Sequence, residues 1–90
     1  MNRIVLDTDV VTAAMRSPSG ASAAVLLAVD AGIVTLLASL PLAMEYEAVC
    51  MRPEHRQAAG MTREEAKVFV DNVLAMAEPV EIYFLWRPQL

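Results

Sequence analysis

Apolar positions along this chain follow two periods, one suited to buried strands and one to amphipathic helices. Residues 3 to 7, RIVLD, are aliphatic and β-branched without polar alternation, which predicts a buried strand. VVTAAM then reads as a short helix that Thr8 or Asp9 can cap, and the breaker SPSG at 17 to 20 ends it. From Ala21, ASAAVLLAVDAG predicts a helix closed by Gly32, and IVTLLA (33 to 38) a second buried strand. Ser39 starts a helix through PLAMEYEAVCM, with Pro41 tolerated in its first turn, and Arg52 and Pro53 end it in a polar stretch. Thr62 and Glu65 form a capping-box pattern, T-x-x-E, ahead of AKVFVDNVLAMA. There Ala66, Phe69, Val70, Val73, Leu74 and Ala77 make one core-facing stripe. Pro79 stops that helix, VEIYFL (80 to 85) predicts a third strand, and WRPQL a tail.

Strands separated by helices spell a parallel α/β layer structure with right-handed crossovers. In such sheets ligands bind outside the carboxyl ends of the strands. Asp7 ends the first predicted strand, and Glu45 follows Ser39, the residue after the second, by six positions. The expected result is a pair of acids on one edge of the sheet.

Composition changes the picture in three ways. Ninety residues predict a single domain, 1–90, and 57% apolar residues with mean hydropathy +0.43 exceed a typical soluble domain, which predicts a second copy or a partner covering part of the surface. The apolar stretches are too short or too interrupted to span a membrane, the N-terminus lacks a signal-peptide pattern, and the single Cys50 predicts a reducing, cytoplasmic setting. A net charge of −4 and a pI near 4.8 argue against a simple nucleic-acid-binding module, which would be basic. Carboxylates awaiting a cation fit that balance better.

Converging carboxylates repel one another unless a cation joins them, and hard oxygen ligands favour Mg²⁺ or Mn²⁺, which activate water in phosphoryl chemistry. The plainer role for Asp7 or Asp9 is a helix N-cap.

IVLDTDVVTAAMRSPSG, LLASLPLAMEYEAV and GMTREEAKVFVDNVLAMAEPVE together resemble the PIN-domain family, in the VapC-like branch of toxin components of toxin–antitoxin systems. The resemblance runs from residue 3 to residue 85. It implies a PIN-like three-layer α/β/α fold with sheet order 3-2-1, and a Mg²⁺- or Mn²⁺-dependent single-strand ribonuclease. By the same resemblance Asp7 and Glu45 are the catalytic and metal-binding acids, and Thr8, Asp9 and Ser39 support them. An antitoxin protein and an RNA substrate are the implied partners. Relatives in this branch continue through an Arg-Asp-Pro-x-Asp segment, further strands and further acids, whereas this chain stops at WRPQL. The expectation is therefore a chain lacking its C-terminal strands and acids, with impaired nuclease activity. Its first strand would form a bare hydrophobic edge, a template for a homo-oligomer.

Two rivals remain at this stage. One is a catalytically inactive remnant that oligomerises or binds an antitoxin-like helix in the apolar grooves between residues 8–31 and 40–51. The other is a haloacid-dehalogenase-like phosphatase with Asp7 as nucleophile, Asp9 as acid/base and Ser39 on phosphate, for which Lys67 and the missing later acids fit poorly. His55, in RPEHRQ, reads as a surface histidine in a polar loop, Cys50 and the methionines as core packing, and Glu47 as solvated. Arg3, Arg52, Arg56, Arg63 and Arg87 could touch phosphates, and nothing in the sequence singles out one of them.

Overall fold

The structure, a computed structural model, describes residues 2–81. Within them the order is β1 (Asn2–Ile4), α1 (Thr8–Arg16), α2 (Ala21–Asp30), β2 (Val34–Ala38), α3 (Leu40–Cys50), α4 (Pro53–Ala59), α5 (Arg63–Met76) and β3 (Glu78–Pro79). The three strands form a parallel sheet in the order β1-β2-β3, with Ile4 opposite Leu36 and Ala38 opposite Pro79. This is the small α/β architecture and the strand order that the sequence predicts.

Helix ends follow local chemistry. Gly32, at φ +78°, lets α2 finish in a left-handed turn, with its N–H on the Val29 carbonyl and the Ile33 N–H on the Ala28 carbonyl. The capping box of α5 is complete: the Glu65 N–H donates to Thr62 Oγ1 at 3.1 Å and the Thr62 N–H to Glu65 Oε1 at 2.8 Å. Ala66, Val70 and Val73 of the α5 stripe are buried.

Four local expectations need correction. The run RIVLD is not a buried strand over its length: β1 ends at Ile4, Val5 is 62% exposed, and only Leu6 is buried. Pairing explains this, because β1 has β2 on one side and, among the described residues, no strand on the other. The cap of α1 is Asp7, not Thr8 or Asp9. The polar stretch after Arg52 is not a loop but α4, which places His55 on a helix. Pro53 in its first turn and Gly60 at φ +70° just beyond its end are the start and stop signals that mark it. Finally, β3 begins at Glu78, two residues before the predicted third strand. Val80 N–H still donates to the Ala38 carbonyl, and most of the predicted span 80–85 lies outside the described residues.

The core joins the sheet to four helices. Val11 and Met15 of α1, Leu36 of β2, Tyr46 and Cys50 of α3 and Val70 and Val73 of α5 are at most 2% exposed. Each such apolar side chain contributes roughly 1.5–3 kcal/mol of transfer free energy. Cys50 is core packing, as its sequence context implies, and burial pushes its thiol up to about 11, so it stays protonated at neutral pH.

Candidate active site

The site is built on the segment that leaves β1 and on the helix that leaves β2. Asp7 precedes α1 in extended conformation, and its Oδ1 accepts the Thr8 N–H at 2.8 Å. The carboxylate therefore sits at the N-terminal end of a helix, where it serves as the cap of α1. Asp7 is exposed, and its second oxygen has no hydrogen-bond partner among the described residues. Ser39 does the corresponding work for α3, accepting the Leu42 N–H at 3.3 Å, and is itself buried. Its hydroxyl oxygen thus fixes the start of the helix that carries Glu45. Glu45 is exposed, one and a half turns into α3, with no ion pair among the described residues.

Tyr46 ties these two segments together. Its ring is completely buried, and its hydroxyl donates to the Leu6 carbonyl across forty residues of sequence. A buried phenol needs such a partner, and here the partner is the residue before Asp7 while the donor is the residue after Glu45. Burial raises the Tyr46 pKa above its usual value, and the negative charges of Asp7 and Glu45 raise it further, against the lowering effect of the Leu6 bond. Both carboxylates are therefore within electrostatic reach of one hydroxyl.

The donor atoms at this point are oxygens. Thr8 Oγ1 is buried beside Asp7 with no hydrogen-bond partner, an orphan that a hydrated cation or its waters would satisfy. Two unpaired carboxylates and a hydroxyl suit Mg²⁺ or Mn²⁺, since Mg²⁺ commonly takes one or two carboxylates and keeps several waters. Among the described residues no three His, Cys, Asp or Glu side chains are grouped for a metal, so a fully proteinaceous cage is not what this arrangement offers.

Asp9 goes elsewhere. It lies in the first turn of α1 and lines an open cleft with Thr12, Ala13, Arg16, Ser17, His55 and Ala58. Glu47 is not simply solvated: it pairs with Lys67 at 3.2 Å, and Lys67 also meets Asp71 at 2.8 Å, which raises the lysine pKa. The ammonium that a phosphatase of the dehalogenase type would need is thus held by two carboxylates between α3 and α5. One largely apolar cleft lies along α2 and α5, lined by Leu26, Leu27, Phe69 and Met76, and another beside α3, lined by Leu40, Ala43, Leu74 and Val80, while α1 packs directly against α3. Sequence reasoning passed over Tyr46, although an aromatic hydroxyl inside an apolar helix beside a candidate acid is the signal that could have found it. It also passed over Arg16.

No helix among the described residues is long and apolar enough to cross a membrane. The family model of the PIN domain matches residues 3–90. No curated protein and no solved structure gives a match.

Proposed function

The chain belongs to the PIN-domain family, whose members are in general divalent-metal-dependent nucleases, and we propose that it hydrolyses phosphodiester bonds of single-stranded RNA. The observation that carries this reading is the Tyr46–Leu6 bond, which holds the segments bearing Asp7 and Glu45 together with both carboxylates free to bind a cation. The bound ion, Mg²⁺ or Mn²⁺, would polarise the scissile phosphate and acidify a bound water. Asp7 and Glu45 would hold it; the α1 N-terminus fixes the Asp7 carboxylate through the Thr8 N–H; Thr8 would offer its orphaned hydroxyl to the hydration shell; Ser39 sets the direction of α3. Asp9 contributes negative field at the same end of α1 rather than a ligand. With two carboxylates in place of a fuller shell, water and phosphate are positioned loosely, and a slow enzyme is expected.

The toxin half of a toxin–antitoxin pair is the biological setting that the opening motif and the Ser39-x5-Glu45 spacing support, with an antitoxin protein as partner in a cytoplasmic setting. Association with a second copy is supported by the outer edge of β1, which no strand among the described residues pairs, and by exposed Val5. The same edge favours the second reading, a catalytically inactive PIN-like module whose role is to bind its own kind or an antitoxin.

One assay separates the two. A labelled single-stranded RNA incubated with the chain should be cut in Mg²⁺ or Mn²⁺ and left whole in EDTA. Intact RNA at every metal concentration, together with a dimer by light scattering, would instead establish the binding module.

A further inference from the structure

We infer that the cleft between α1 and α4 is an anion subsite that seats a backbone phosphate of the RNA strand, an inference that builds on the nuclease reading. The cleft has a volume of about 590 Å³ and is lined by Asp9, Thr12, Arg16, Ser17 and His55 among its polar residues. That size is within the range of small-ligand sites. It opens at Asp9, two residues beyond Asp7 in sequence, and runs along one face of α1 to Arg16, about 10 Å of helix.

Chemistry along that face is graded. Asp9 carries a carboxylate at the end nearest Asp7 in sequence, and Arg16 a guanidinium at the other. Arg16 is exposed and makes no ion pair among the described residues, so its guanidinium is free for a phosphate. His55 projects from α4 into the same lining, and its Nδ1 is buried without a hydrogen-bond partner. The His55 ring is half-buried, so part of it is open to a ligand in the cleft. Thr12 is already used, its hydroxyl donating to the Asp9 carbonyl at 3.1 Å, which leaves Arg16, His55 and Ser17 as the groups that meet the ligand. In a chain of net charge −4, an arginine without an ion pair among the described residues, set in a polar cleft, is where a polyanion gains most.

The test is binding of a short fluorescent single-stranded RNA to the full chain in EDTA, where no cleavage intervenes, read by anisotropy across a salt series. Arg16→Ala should weaken binding about five- to tenfold and reduce the salt slope by about 0.7, the value of one lost phosphate contact to a single strand. His55→Ala should weaken it severalfold, Arg16→Lys should keep the salt slope, and Mn²⁺ affinity should not change in any of the three. Circular dichroism checks that the variants are folded. Unchanged affinity and slope in Arg16→Ala would overturn the subsite, as would a wild-type chain that binds no RNA, or Arg16-dependent binding of an acidic peptide alone. A chain that binds RNA through Arg16 yet never cuts it in Mn²⁺ upholds the subsite and removes the nuclease reading.

Discussion

Asp7→Asn should reduce metal-dependent RNA cleavage by about a hundredfold or more while changing stability by less than about 1 kcal/mol. The substitution separates the two tasks that Asp7 performs. As N-cap of α1 it needs only an oxygen that accepts the Thr8 N–H, and asparagine caps as well as aspartate. As a metal ligand it needs a full negative charge, which asparagine lacks. Its exposure means that no buried packing is disturbed. Initial rates on single-stranded RNA in Mn²⁺, beside urea unfolding of both proteins, measure the two effects independently. Wild-type rates in a well-folded Asp7→Asn chain would reduce Asp7 to a cap.

Tyr46→Ala should cost about 3–5 kcal/mol, because it empties the largest completely buried side chain in the core. Against a total stability of about 5–15 kcal/mol for a domain, that is a severe loss. Tyr46→Phe is the more informative change. It keeps the ring and removes only the hydroxyl, leaving the Leu6 carbonyl without its donor, and should cost about 1–3 kcal/mol. It should also weaken Mn²⁺ binding, since the bond that holds the Asp7 segment against α3 is gone. Urea midpoints for wild type, Tyr46→Phe and Tyr46→Ala measure the first effect. A Tyr46→Phe chain with wild-type stability and metal affinity would mean that the hydroxyl positions nothing.

How far the sequence could be read depended on the kind of signal. Helices with chemical punctuation were legible: the Thr62–Glu65 box, Ser39 ahead of Pro41 and Gly32 after α2 each act within a few residues. The alternation of strands and helices was legible too, and the strand order followed from the family resemblance rather than from any local pattern. The extent of β1 was not, since an aliphatic run looks the same whether neighbours cover one side or both, and among the described residues only β2 pairs with it. α4 was hidden by its polarity: none of its residues is buried, so no apolar stripe announces it. At the site, the spacing of Asp7 and Glu45 after successive strands brought the acids to notice, but their mutual support through Tyr46 and Leu6 is a contact across forty residues that no local pattern carries. For the same reason Arg16 and His55, 39 positions apart by their numbers, meet around one cleft without any sequence mark.

Calorimetric titration of Mn²⁺ into wild type, Asp7→Asn, Glu45→Gln and the double variant asks most directly whether the two acids share an ion. One site is expected in the wild type, with affinity lowered about tenfold or more by either single change. The double variant should then be little worse than the singles, a coupling of about 1 kcal/mol or more between residues that act on one ligand. Full affinity in either single variant, or losses that simply add, would mean that Asp7 and Glu45 do not meet over a common cation.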